Sequence, residues 1–216
     1  MSHSEYKTIE LDHGIVIKLY QDTTAENPIR EFDGQAHVSV WHRRYDFGNE
    51  PKFFEPENFR AFCEEQKEYG NPVYRLPVYL YDHSGLTVNT TGFSCPWDSG
   101  QVGWVWATKN EIQTIFGADQ EPDPKQVNDY LRGTVKLLDD YLTGNVYGYQ
   151  IEDREGNELD SCWGFYGDPD ENVIPEAKSA AEYYVEEAAK NAAVVESLAA
   201  RAVERYRAEC SRLPAI

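Results

Sequence analysis

Apolar residues in this chain fall into short alternating runs separated by turn residues, and that pattern stops near residue 173. A period of two puts successive side chains on opposite faces of a strand. The runs are Tyr6–Leu11, Gly14–Tyr20, Ala36–Trp41, Val73–Tyr81, Leu86–Phe93, Gln101–Thr108, Val146–Glu152 and Glu158–Phe165. Several are joined by turn chemistry (Asp12-His13-Gly14, Asp82-His83-Ser84-Gly85, Gly156-Asn157), which predicts antiparallel hairpins. Helical spacing intervenes at Glu57–Tyr69, at Asn110–Phe116 with Asn110 as its cap, and at Asp123–Leu142. In the last of these Asp123 is placed to cap, Pro124 to open the first turn, and Gly144 to stop it. Its stripe is Val127, Leu131, Val135, Leu138 and Leu142. The helices are inserted between hairpins rather than alternating strictly with strands. The prediction is therefore an α+β fold, mainly antiparallel sheet with inserted helices, and not a doubly wound parallel sheet.

Gly167–Val173 reads as a loop, and from Pro175 to Leu213 the pattern becomes Ala-rich and helical. Tyr184, Ala188, Val195, Leu198, Ala202, Tyr206 and Cys210 share roughly one face. An unbroken helix of about 37 residues would span roughly 55 Å. It either breaks, with Asn191 the candidate position, or reaches past the body. It can lie across the open face of a sheet, or it can form a homodimer through residues 175–213. The chain is accordingly divided into an acidic α+β domain, 1–173, and a helical C-terminal extension, 174–216.

The charge is as uneven as the patterning. Asp and Glu number 38 against 20 Lys and Arg, a formal charge of −18 on 216 residues. Residues 1–173 hold 31 acids and 14 bases, while 174–216 hold 7 and 6. Such a body repels nucleic acid and anionic membranes and attracts basic surfaces. With 15 Tyr and 5 Trp, the acid belongs to a folded surface rather than to a disordered tail. No apolar run approaches 18 residues, and Met1-Ser2-His3-Ser4-Glu5 lacks the basic and apolar regions of a secretory signal. Four scattered cysteines, Cys63, Cys95, Cys162 and Cys210, show no zinc spacing and suggest reduced thiols in a cytoplasm, with a Cys95–Cys162 bridge left open.

Few residues suggest catalysis. Phe93-Ser94-Cys95-Pro96-Trp97-Asp98-Ser99-Gly100-Gln101 lies between two strands, with His83 in the preceding turn. A thiol nucleophile needs a base and an orienting group, so Cys95, His83 and Asp98 form one candidate constellation. The competing reading is a rigid turn in which Trp97 plugs the core. Cys162 reads as a small buried hydrophobe. Asp168, Asp170 and Glu171 resemble the start of a calcium loop without its central Gly and closing Glu, so neither a metal nor a cofactor is expected.

The stronger signal is acidic. Asp139, Asp140, Glu152, Asp153, Glu155, Glu158, Asp160, Asp168, Asp170 and Glu171 fall within 33 residues whose only base is Arg154. Alternate carboxylates on a strand stand about 7 Å apart, and duplex DNA carries a negative charge about every 1.7 Å of its axis. A hairpin, its loop and a helix end could together approximate a phosphate array, with Tyr147, Tyr149 or Tyr166 adding contact area. Reversal of Glu152, Asp153, Glu155 and Glu158 is then expected to abolish binding without unfolding. Ordinary solubility is the alternative use of such acid.

Leu76–Gly85 (LPVYLYDHSG), Phe93–Gly103 (FSCPWDSGQVG), Tyr141–Gly144 (YLTG) and Asp160–Gly167 (DSCWGFYG) resemble an uncharacterised family of phage, plasmid and mobile-element proteins. The resemblance covers a little under half of the chain and carries no catalytic residues. It implies a mobile-element origin. Small acidic proteins on such elements often resemble anti-restriction or anti-CRISPR inhibitors, which is an argument by analogy. The expected partner is thus a basic host protein or DNA-binding complex in the host cytoplasm, bound by DNA mimicry or masking, with no direct nucleic acid and no membrane. A cysteine-dependent enzyme and a dimeric assembly protein are the alternatives.

Overall fold

The first and last hairpins of the chain, more than a hundred residues apart, form one sheet. In the computed structural model, which describes residues 4–50, 55–117 and 121–210, β1 (Glu5–Glu10) and β2 (Val16–Gln21) pair through a short 3-10 turn at Asp12–Gly14. His13 and Gly14 both take positive φ there, as so tight a reversal requires. β2 then pairs antiparallel with β7 (Val146–Glu152), Ile17 opposite Ile151 and Leu19 opposite Tyr149. β8 (Glu158–Tyr166) completes the order β1-β2-β7-β8. Ile15, Ile17 and Leu19 share a face with Tyr149 and Ile151 and pack on Val173, Ile174, Ala177 and Ala181. Val173 follows the short helix α5 (Pro169–Asn172), and the other three belong to α6 (Ile174–Cys210).

The second sheet has the order β3-β6-β4-β5, formed by β3 (His37–Val40), β4 (Val73–Asp82), β5 (Leu86–Asn89) and β6 (Ser99–Thr108). Its helices are α1 (Pro28–Glu31), α2 (Pro56–Glu68), α3 (Lys109–Phe116) and α4 (Pro124–Thr143). The expected α4 stripe is its buried face: Val127, Leu131, Val135 and Leu138 pack against Val38, Val78, Leu80, Val88 and Val105. Trp106 alternates with Val105 and meets Phe59 and Phe62 of α2, so helices cover both faces at this strand.

The described residues thus form two antiparallel four-stranded sheets with inserted helices, an α+β fold. Packing divides the chain into two compact units: the chain up to Asp22 together with that from Tyr147 on, and Thr23–Val146. Neither boundary falls at 173/174, because α6 contributes Ile174, Ala177 and Ala181 to the core of the first unit. α6 runs unbroken for 37 residues, through Asn191. It packs on its sheet as far as Ala188, and every residue from Lys190 to Ala208 is exposed. Residues 211–213 of the expected helix and the side chain of Cys210 lie outside the described residues. No helix among them is long and apolar enough to cross a membrane.

Candidate functional site

The β7–β8 hairpin is held by the acids that were expected to bind a partner. Asp153 accepts hydrogen bonds from the N–H groups of Glu155 and Asn157, both at 2.9 Å, and from the Asn157 amide at 2.8 Å. The Asn157 side chain first, with the backbone N–H groups, keeps the Asp153 carboxyl below the usual range. Glu152 pairs with Lys18 at 2.7 Å and is only 15% exposed. Glu158 accepts from the Ser161 hydroxyl at 2.8 Å and from Gln150 at 3.3 Å, and Asp160 accepts from the Ser161 N–H at 2.8 Å. Asp168 caps α5 by accepting from the Asp170 N–H at 2.8 Å, which accounts for the spacing that resembled a calcium loop. Asp170 pairs with Lys7 at 2.8 Å. Glu155 and Glu171 are exposed and have no side-chain partner among the described residues.

Asp139 and Asp140 are engaged within their own helix and sheet. They sit on α4, in the other compact unit. Asp140 is 4% exposed and gripped by Lys136 at 2.5 and 2.6 Å. Asp139 accepts from the Val88 N–H at 2.9 Å, fastening α4 to β5, and burial pushes its carboxyl up. Adjacent positions on a helix point about 100° apart, so two acids side by side in sequence do not make one exposed pair. The proposed aromatic contacts also change. Tyr149 is a core residue at 6% exposure, whereas Trp97, expected to plug the core, is 91% exposed.

Cys95, His83 and Asp98 are neighbours in an order that differs from a nucleophile–histidine pair. Asp98 Oδ2 lies 3.8 Å from Cys95 Sγ and 3.4 Å from His83 Nδ1, so the carboxylate stands between thiol and imidazole. The Ser99 hydroxyl donates to the Cys95 carbonyl at 2.5 Å, and the Asp82 N–H donates to the Asp98 carbonyl at 2.9 Å, fixing the turn. His83 continues a row of stacked rings through Tyr81 to Phe93. Cys162 is exposed, not buried, whereas Leu159 and Phe165 of the same strand pack on the core; Cys63, Cys95 and Cys162 are all free thiols. Among the described residues no group of three or more His, Cys, Asp or Glu is placed to hold a metal ion.

One ionic cluster is absent from the sequence reading. His37 on β3 touches Glu50 through Nδ1 at 2.6 Å and Glu111 through Nε2 at 2.7 Å, and stacks on Trp106 with ring centroids 4.2 Å apart. Burial disfavours the imidazolium, but the hydrogen bonds to Glu111 and Glu50 outweigh it and raise the imidazole to about 9. The same bond from His37, helped by the Thr108 N–H and hydroxyl, holds Glu111 at about 2 against the effect of burial. Glu111 is also the third residue of a capping box on Thr108, so Thr108, not Asn110, caps α3. The Thr-x-x-Glu spacing was legible in sequence; the meeting with His37 was not. His37 and Glu111 help line a cavity of about 280 Å³ with Tyr130 and Thr114. Both imidazole nitrogens are already engaged, so the cluster locks β3 to α3 and offers no free nitrogen to a substrate.

No family model matches the chain, and no curated protein or solved structure does so either.

Proposed function

We propose that this chain is an acidic protein-binding inhibitor that originates from a mobile element and acts in the host cytoplasm. It competes with DNA for a Lys/Arg-lined groove of a host defence complex of the restriction or CRISPR kind. The observation that carries this reading is the charge of residues 152–171: eight carboxylates and one base, Arg154, on a single hairpin and the turn that follows it. Glu155, Glu158, Asp168, Asp170 and Glu171 are all exposed. The backbone that carries them is held by the Asp153 turn and the Asp168 cap, so it needs little reorganisation to meet a basic groove, which favours fast, salt-sensitive association.

The structure changes which residues test the idea. Reversing Glu152 or Asp153 would remove the Lys18 ion pair or the turn itself. Glu155, Glu158 and Glu171 are the positions to reverse. Tagged wild-type protein should capture a DNA-binding complex from bacterial lysate at low salt and release it to salt and to duplex DNA. The triple Glu→Lys variant, folded by circular dichroism, should capture none. Capture that ignores both DNA and the triple reversal would overturn the reading.

A cysteine-dependent enzyme is the second reading, supported by the meeting of Cys95, Asp98 and His83. It is weaker because the imidazole addresses Asp98 rather than the thiol. On the binding reading, Cys95 reacts with iodoacetamide no faster than exposed Cys162. Labelling of Cys95 tenfold faster or more would favour the enzyme.

A further inference from the structure

We propose that the exposed half of α6 is a self-complementary antiparallel seam that binds a second copy of this chain, with the two-fold axis passing near position 196. The surface is separate from the acidic hairpin. Glu187, Asn191, Val194, Leu198, Arg201 and Arg205 follow one another at intervals of four, three, four, three and four residues. That is heptad spacing, which keeps one edge of a helix facing a partner helix, with Val194 and Leu198 as its apolar centre and polar or charged residues to either side. Val194 and Leu198 at its centre are 57% and 58% exposed, although they are the large apolar residues of the stripe. The stretch is helical throughout and every residue from Lys190 to Arg207 is exposed, with Lys190 paired to Glu187 on the same helix.

Charge identifies the occupant and its direction. The seam begins with a carboxylate and ends with two guanidiniums. Turned about position 196, a second copy places Glu187 against Arg205, Asn191 against Arg201 and Val194 against Leu198, and each pair occurs twice. Such an isologous contact closes on itself and stops at a dimer. A parallel copy would set Arg205 against Arg205 and Glu187 against Glu187. Leu198, Arg201, Ala202, Arg205 and Tyr206 line a surface hollow, and the first four have the spacing of a hole into which a facing knob inserts. In the antiparallel register that knob is Asn191 of the second copy, whose amide oxygen can accept from either guanidinium. Glu187 now pairs with Lys190 on its own helix at 3.0 Å, an exposed contact that the seam can share. The segment from 174 on is almost neutral, so the seam is also where two acidic bodies repel each other least.

Sedimentation equilibrium of the full chain at 1–100 µM tests this. Wild-type protein should be dimeric at the upper end and dissociate with added salt. Leu198→Asp should be monomeric throughout. Glu187→Arg and Arg205→Glu should each weaken the dimer at least tenfold, and the double variant should recover most of the loss. A monomeric wild-type protein at 100 µM would overturn the proposal, and so would a dimer indifferent to Leu198→Asp. Failure of the double variant to recover would overturn the antiparallel register. Unchanged far-UV circular dichroism of each variant shows that folding is not what was lost. None of these outcomes bears on the acidic hairpin, whose variants leave α6 intact.

Discussion

His37 shows how a single side chain can set the pH range of stability. Its raised value means that its contribution is complete below the unfolded value of about 6.5 and is lost as pH rises through about 9. Glu111 has the opposite sign: its contribution is complete above about 4.5 and is lost as pH falls through about 2. The two overlap fully between about pH 4.5 and 6.5. His37 is 31% and Glu111 41% exposed, so solvent screens part of the attraction. His37→Gln should cost about 1–2 kcal/mol at pH 5.5 after that discount and much less at pH 9.5, measured by urea melts at both values. An equal loss at both values would show that the imidazolium is not what the cluster stabilises. Nothing in the local sequence around His37 indicated this. Its partners are 13 and 74 residues away, and only strand pairing and the α3 cap bring them together.

At the scale of elements, legibility followed the locality of the signal. β7 was read to the residue, because Gly156-Asn157 and Asp153 form its turn within a few positions. α4 was read from Asp123, Pro124, its stripe and Gly144, all local, and Asp123 does cap it by accepting from the Lys125 N–H at 3.1 Å. α3 was placed correctly with the wrong cap, since Asn110 and Thr108 are both acceptable caps and only the Glu111 reciprocal bond decides between them. Thr108→Ala should therefore cost roughly 1 kcal/mol in chemical denaturation, and Asn110→Ala far less. α1 and α5, four residues each, were missed because so short a helix has no period to detect. The two halves of α6 should separate experimentally. A chain ending at Ala189 keeps Ile174, Ala177 and Ala181 in the core, so its melting temperature should match that of the full chain at concentrations where both are monomers. Its ability to dimerise should be gone. A large fall in stability would mean that the exposed half supports the fold.

Over the whole molecule, the pairing of the first hairpin with the last is what no local pattern conveyed. It turns two ends of the chain into one unit and puts α6 into that unit's core. It also redistributes the acid. Lys7 and Lys18 come from the first hairpin and neutralise Asp170 and Glu152, which sequence proximity had counted as free. The ten acids read as one array are therefore two sets: Asp139 and Asp140 bracing α4, and a hairpin set in which some members build structure and others are presented to solvent. The composition identified the charge, and tertiary pairing decided which carboxylates are available. Their availability to a basic partner is the central claim. The most direct measurement is the affinity for the captured complex as a function of salt, for wild-type protein and for the Glu155, Glu158 and Glu171 triple Lys variant. The account predicts that log affinity falls linearly with log salt for the wild type, and that the triple variant shows at least a hundredfold weaker binding with a flatter slope. Equal affinities with no salt dependence would contradict it.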